Sequence, residues 1–379
     1  MARVHLEDGV AGLPRAEWNA LVGDGSPFLE WDWLASLEEA DTLGAERGWL
    51  ARPLLLREAD RIVAAAPLYV KTHSEGEFVF DGGWADAATR AGIDYYPKLL
   101  VGVPFTPVSG ARLLVAPGED VAARRLELVK ALRDLCAANH FSGIHANFCL
   151  PEEIAVLESL HFQARLGLQY HWSNRGWNSF EDYLAAFRSK RRNQVRRERR
   201  SVAEAGIEVE VFVGRDIPDR LCETMYRFYL ATIESRYWGR QYLNRGLFEL
   251  LFERYRERLV LVVASLGDEP IAGTFNVAKQ GVLYGRYWGA LRSVRNLHFE
   301  VCYYRAIEYC IEAGFHRFEP GAGGDYKQLR GFDAQPTWSA HFLADPRLAE
   351  AVGRFLDAER AQAQSEIDWL RSRSALKPQ

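Results

Sequence analysis

The chain has 379 residues, with 47 Lys and Arg against 51 Asp and Glu, a formal net charge of −4. A composition 48% hydrophobic and 26% charged belongs to a globular protein of two or three domains and excludes both wholesale disorder and a polycationic chain. Cys136, Cys149, Cys222, Cys302 and Cys310 form no CxxC pair. That argues for reduced thiols in a cytosol, against a disulfide framework and against a zinc site, so the expected location is cytoplasmic and no metal is expected. The N-terminal stretch lacks the apolar core of a signal peptide, and no apolar run approaches the roughly 20 residues that span a bilayer.

In chain order, residues 27–39 read as a helix, with Phe28, Trp31, Leu34 and Leu37 at helical spacing. Residues 48–57 and 61–71 read as two strands of a hairpin turning at Glu58-Ala59-Asp60. Residues 98–103 read as a strand stopped by Pro104. Residues 121–139 form a helix with Leu126, Val129, Leu132 and Leu135 on one side, 143–148 a short strand, and Pro151 opens a further helix. The turn-forming cluster Asn174-Arg175-Gly176-Trp177-Asn178 is the expected boundary between domains over 1–175 and 176–379.

In the second half, 179–205 reads as helical with one break and 207–213 as an alternating strand. Residues 220–235 and 247–256 read as helices. A hairpin over 259–266 and 270–278 closes at Gly267-Asp268, and 282–288 is the next strand. Residues 297–313 read as a helix ended by Gly314, 317–319 and 336–342 as short strands, and 347–372 as a long closing helix. Each half holds helices, a central hairpin, a helix and a further strand, the pattern of an α+β fold on mixed sheets.

The strand ending Tyr287-Trp288-Gly289-Ala290 is followed by Leu297-His298-Phe299-Glu300, the helix RAIEYCIEAG and the segment FEPGAGGDYKQLRGF from Phe318 to Phe332. This order resembles the FemAB-like N-acyltransferases, a branch of the GNAT superfamily associated with peptidoglycan biosynthesis. The segment FRSKRRNQVRRERRSVAEAGIEV is similar to the basic helix plus strand of Fem-type aminoacyl transferases. The resemblance covers most of the chain and is densest over 286–341. It implies two tandem GNAT-like domains, each a mixed sheet flanked by helices, with the active site in the C-terminal one. The GNAT pyrophosphate loop, R/Q-x-x-G-x-G/A, is absent; its place is taken by Arg292-Ser293-Val294-Arg295-Asn296-Leu297. An acidic-His-Lys triplet usual in the pattern is here Asp325-Tyr326-Lys327. The implied acyl donor stays open between acyl-CoA and aminoacyl-tRNA.

Read as residues alone, 188–200 holds eight Lys or Arg and one Glu, a local +7 that leaves −11 for the rest of the chain. On a helix, Leu184, Phe187, Arg191, Val195, Glu198 and Val202 share one seam, while Arg192, Arg196, Arg199 and Arg200 splay outward. The strip is a solvated face or a polyanion-binding one. Arg191, on the seam, is expected to meet a carboxylate or a phosphate. A chain built around this strip alone would be a non-catalytic nucleic-acid-binding protein, and that stands as the alternative function.

Arg292 and Arg295 precede a helix that Asn296 can cap, an arrangement suited to an anion or to plain surface charge. Glu319 ends a strand before a glycine-rich loop and is the first choice of general base for an attacking amine; Glu300 is the second, unless it only complements the helix dipole. Lys327 and Arg330, at i and i+3 after Gly321, Gly323 and Gly324, grip phosphate or lie on the surface. The loop lacks GxxxxGK[ST], so no nucleotide hydrolase is implied. His298 and His341 read as structural, and Cys302 and Cys310 as core packing. The expected activity is transfer of an acyl or aminoacyl group by direct attack of an amine. The acceptor is a small molecule bearing phosphate, such as a cell-wall precursor, and tRNA is a further partner if it carries the donor.

Overall fold

Pro53 and Pro67 divide the first hairpin, because a proline has no N–H to give a strand ladder. In the computed structural model, which describes residues 2–235 and 239–377, the two strands read from sequence become four: Trp49–Ala51 and Leu54–Glu58, then Arg61–Ala66 and Leu68–Lys71. The inner pieces pair with each other and, with Arg3–Leu6 and Leu114–Val115, form a four-stranded antiparallel sheet. The outer pieces join a second sheet.

The chain divides into two compact units, Met1–Leu168 with Pro336–Glu366 and Gln169–Gln335 with Ile367–Gln379. In the first, the second sheet runs from Trp49–Ala51 through Leu68–Lys71, Lys98–Val101 and Gly143–Cys149 to the 338–343 portion of Asp333–Leu343. It is mixed, since Lys98–Val101 and Gly143–Cys149 are parallel and the other pairs antiparallel. One face carries Leu99, Val101, Ile144, Ala146 and Ala340, which pack with Leu128, Val129 and Leu132 of helix Val121–Ala138. Of the alternate residues on the other face, Lys98, His145, Asn147, Ser339 and His341 are polar yet buried. Lys98 donates to Glu77 and Asp81 at 3.1 and 2.5 Å. His341 is the structural histidine expected, 2.8 Å from His145 between their Nδ1 atoms and 3.0 Å from the Ser339 hydroxyl.

In the second unit the strand order is Ile207–Val213, Leu259–Leu266, Glu269–Lys279, Val282–Ala290, Arg317–Glu319 and the end of Gln163–Ser173. All pairs are antiparallel except Val282–Ala290 with Arg317–Glu319. Both units therefore carry mixed sheets with flanking helices, as expected. The basic region breaks once, between helices Phe180–Ala185 and Ser189–Glu204. The turn at Asn174 is built by its own side chain, whose Oδ1 accepts from the Gly176 and Trp177 N–H groups at 3.0 and 2.7 Å. The helix read over 297–313 is not uniform: Leu297–Phe299 is α, Glu300–Tyr304 is a π turn and Arg305–Glu312 is α again. Among the described residues no helix is long and apolar enough to cross a membrane.

Helix Arg220–Glu234 lies directly on this sheet because Gly289 admits its backbone and Gly273 its side chains. A Cβ on Gly289 would stand 1.7 Å from the Phe228 carbonyl oxygen, and one on Gly273 would stand 2.9 Å from Met225 Cε. A methionine tip can move; a helical carbonyl cannot without displacing its helix. Gly289→Ala is therefore expected to cost roughly 2–3 kcal/mol and Gly273→Ala less. Urea unfolding of the two variants checks the order, and equal stabilities would contradict the packing described.

Candidate active site

Strand alternation sorts the end of the sheet into an apolar and a polar side. Arg317 lies opposite Ser173 and Phe318 opposite Trp172; on the other flank Val282, Leu283 and Tyr284 pair with Arg317, Phe318 and Glu319. Phe318, Trp172 and Leu283 share one face, so Glu319, Tyr284 and His171 share the other. The parallel pairing ends at Tyr284 and Glu319 while its partner strand runs on to Ala290. Pro320 follows, and a Cβ on Gly285 would lie 3.2 Å from its Cα, so the chain leaves the sheet here at close range. Glu319 sits where the two strands part.

Its side chain is 7% exposed. Burial pushes the carboxyl up to about 7, although Arg317 and Arg286 act to lower it. Arg317 Nε lies 3.0 Å from Oε1. Oε2 has no hydrogen-bond partner among the described residues, and it faces His171 Nε2, likewise without one, at 3.7 Å. Burial holds His171 down to about 3, with the positive charges of Arg317 and Lys327 acting the same way, so the imidazole is neutral.

After Pro320 the chain turns through Gly321, Gly323 and Gly324, all at positive φ (90°, 70° and 90°). Lys327, on the 3-10 turn Asp325–Arg330, reaches back over this loop. Its Nζ donates to the Gly321 carbonyl at 2.6 Å and to that of Ala322 at 3.4 Å. Burial lowers its pKa to about 8. Arg330 turns to the basic helix: it donates to Glu198 Oε2 at 3.0 Å and to the Tyr326 carbonyl at 3.0 Å, with its guanidinium 3.4 Å over the Phe299 ring. Both cations are buried, and their contacts diverge.

On the basic helix, Val195, Glu198 and Val202 face inward as read. Arg199, read as splaying outward, meets the carboxylates of Glu300 and Glu308 instead, while the exposed Arg196 pairs with Glu181. The Arg199 Nε lies 3.1 Å from each Glu300 oxygen and its other nitrogens donate to Glu308 at 2.9 and 3.2 Å. A long side chain on the flank of the seam reaches around it, and Arg199 also stacks on Phe180 at 4.4 Å. Glu300 is thereby occupied on both oxygens, although burial still raises its pKa. Arg191 is half-buried and donates to Gln194 Oε1 at 2.9 Å; Gln194 in turn donates to Glu198 at 2.7 Å. Arg292 is exposed and pairs with Glu269; Arg295 is exposed too. Asn296 makes no side-chain cap: it sits at φ 65° and its Nδ2 donates to the Ser201 hydroxyl at 2.8 Å. His298 lies among Trp288, Tyr303 and Tyr326, where burial holds it down to about 4. Glu319, His171 and Lys327 thus form one neighbourhood, and Arg199 with Glu300 another. Among the described residues no group of three or more His, Cys, Asp or Glu is placed to hold a metal ion.

A family model described as FemAB-like, for peptidoglycan biosynthesis/recognition, matches residues 9–378. The chain belongs to the FemAB-like family. Solved structures of the same fold include FemX, at 12% identity and a TM-score of 0.56, covering 90% of this chain and 98% of that one. They also include L-PGS from Bacillus licheniformis, at 11% and 0.50, covering 85% and 95%. A third is the C-terminal domain of a putative lysylphosphatidylglycerol synthetase from Agrobacterium fabrum, at 10% and 0.53, covering 90% and 95%. No curated protein matches the sequence. The mixed-sheet fold with flanking helices that the sequence implies is shared with these structures, and the chain is an acyltransferase by family.

His171 is the site residue that motif reading misses. Its signal is the alternation of 163–173, where Ala164, Leu166, Leu168, Tyr170 and Trp172 occupy every even position and polar residues or glycine every odd one.

The burial of Glu319 makes stability depend on pH. The folded carboxyl keeps its proton up to about 7, against an ordinary value of 4.5. Between those values the folded state binds a proton that the unfolded state has lost, so stability falls as pH rises through this window and levels off above it. The fall is about 3 kcal/mol. Glu319→Gln does not ionise and escapes it, so its stability relative to the parent should climb across the same window in urea unfolding. Parallel curves would place the carboxyl in contact with water.

Proposed function

We propose that the protein transfers an acyl or aminoacyl group to an amine by direct attack, with Glu319 as the proton acceptor. The observation that carries this reading is a buried carboxyl, raised to about 7, with one oxygen free of hydrogen bonds at the point where two strands part. A base poised near neutrality is the one best matched to deprotonating an amine at physiological pH. Glu300, held on both oxygens by Arg199, instead fastens the basic helix to the π turn. Lys327, buried beside the glycine loop, is the cation available to a carbonyl oxygen that gains negative charge in the transition state. Burial raises the thiols of Cys136, Cys149, Cys222, Cys302 and Cys310 above their ordinary value, which supports attack without a covalent enzyme intermediate.

For the donor, aminoacyl-tRNA has the better support. Arg188, Lys190, Arg197 and Arg200 are exposed on the basic helix, a face suited to a phosphate backbone, and the glycine loop that would cradle a pyrophosphate is missing from 292–297. Arg191, Arg292 and Arg295 remain proposed contacts for phosphate groups of donor or acceptor. The acceptor is an amine on a phosphate-bearing precursor. Its support is the family's description in peptidoglycan biosynthesis/recognition and the likeness to proteins named for making lysylphosphatidylglycerol, a phosphate-bearing lipid.

Two measurements test the reading. Glu319→Gln should lower the turnover of transfer by roughly 10²–10⁴ while leaving the Michaelis constant near that of the parent; unchanged turnover removes Glu319 as the base. Neutralising Arg188, Lys190, Arg197 and Arg200 should shallow the salt dependence of tRNA binding by about 0.7–0.9 per lost phosphate contact. An unaltered slope returns the donor to acyl-CoA. Steep tRNA binding without transfer from any charged tRNA or acyl-CoA would favour the non-catalytic nucleic-acid-binding alternative.

A further inference from the structure

Among the described residues of the second unit, five large apolar side chains stand exposed: Leu266, Leu291, Tyr326, Leu329 and Trp369. Single ones are ordinary on a protein surface; a cluster marks a contact. Three of the five gather where the turn Asp325–Arg330 meets the last turns of helix Pro346–Ser372. In a 3-10 turn, residues i and i+3 lie on the same side. Lys327 and Arg330 point inward together and are buried, while Tyr326 and Leu329 point outward together, each 41% exposed. Gln328, on the remaining side, donates to the Leu370 carbonyl at 2.7 Å and fixes the turn to the helix. Trp369, next to Leu370, is 52% exposed.

Cations stand beside these side chains. The Arg373 guanidinium lies 4.4 Å over the Trp369 ring. Arg371 donates to the Ala334 carbonyl at 2.9 Å and to the Gln335 amide oxygen at 3.1 Å, and Lys377 donates to the Ala185 carbonyl at 3.0 Å. Those partners are neutral, so the charges stay unbalanced. A β-bridge joins Phe187 to Leu376 and sets the exposed Arg188 beside the tail. Four exposed cations therefore stand against two exposed carboxylates, Asp325 and Asp368.

The excess charge calls for a polyanion, and the apolar side chains decide which. RNA engages cations and aromatic faces, but its backbone gives an aliphatic side chain such as Leu329 nothing to bury against. An anionic bilayer has acyl chains beneath its headgroups, where leucine and indole both gain. A guanidinium stacked on the indole stays at the phosphates while the ring enters. We propose that this face docks on an anionic bilayer, with Trp369 and Leu329 entering the headgroup region and Arg188, Arg371, Arg373 and Lys377 meeting lipid phosphates. The inference rests neither on Glu319 as the base nor on the choice of donor. Since the docking turn also carries Lys327, docking sets the glycine loop at the membrane surface.

The test sediments the full-length protein with sucrose-loaded vesicles of POPC and POPG, seven parts to three, and with vesicles of POPC alone. Binding to the POPG vesicles is expected, weakening as KCl rises, with little binding to POPC. Arg373→Gln, a change on an exposed side chain, should weaken the binding about fivefold. Trp369→Phe keeps an apolar ring and supplies a second readout. Vesicles with brominated acyl chains quench a tryptophan that enters them. Quenching is expected for the parent and should largely vanish for Trp369→Phe, which still sediments with the vesicles. Three results overturn the inference: no binding to POPG vesicles, binding untouched by Arg373→Gln, or equal quenching of the parent and Trp369→Phe. So does the RNA outcome, in which Arg373→Gln weakens the binding of bulk tRNA while vesicles are ignored.

Discussion

The ion pair of Arg330 with Glu198 ties together the parts of the second unit that the site needs. Both residues are buried, and the carboxylate also accepts from the Tyr304 hydroxyl and from Gln194. Through these bonds the basic helix, the π turn and the loop after Glu319 meet at one group. The charges are satisfied several times over, which is the condition under which a buried pair holds. Removing either partner would strand the other in a medium that cannot solvate it, at a cost of about 3–5 kcal/mol. The loop carrying Lys327 depends on that anchor for its position, since three of its residues are glycines with little preference of their own.

Glu300 and Glu319 show how two carboxylates of one unit are given different work. Both are buried, and burial raises both. Arg199 then answers Glu300 on both oxygens, with the π turn bringing Glu300 and Glu308 to the same guanidinium. Glu319 is answered on one oxygen alone. A fully matched charge is a fastening; a half-matched one retains an affinity for protons. The unmatched oxygen lowers the stability of the fold above neutral pH, a cost of the kind that enzymes carry at their working residues.

Much of this was legible in the sequence wherever a local signal decided the outcome. Gly267-Asp268 closes its hairpin, Arg317–Glu319 is a strand, and the basic region breaks once, as read, because turn chemistry and periodicity act within a few residues. Pro53 and Pro67 carried a signal too, but that the strand halves would join different sheets depends on partners distant in sequence. The π turn has no local signature: its helix is amphipathic throughout, and the extra residue serves contacts to Arg199 and Arg330 from elsewhere in the chain. For the same reason Arg199 rather than Arg191 found the carboxylates. Seam arithmetic assigns directions to Cβ atoms, whereas an arginine has the reach to cross to the next helix. Glu319 was legible as a strand end before glycines. The alternation that places His171 opposite it was present, but only strand pairing shows that the two face each other.

The account stands on one oxygen, Oε2 of Glu319, being buried, unpaired and ready to accept a proton near neutrality. The most direct measurement is the titration of that carboxyl itself, by ¹³C NMR of the side-chain carbon in the full-length protein, assigned with Glu319→Gln. The account predicts a single transition at about 7. A transition at the ordinary 4.5 would show a solvated or fully paired carboxylate and would contradict it.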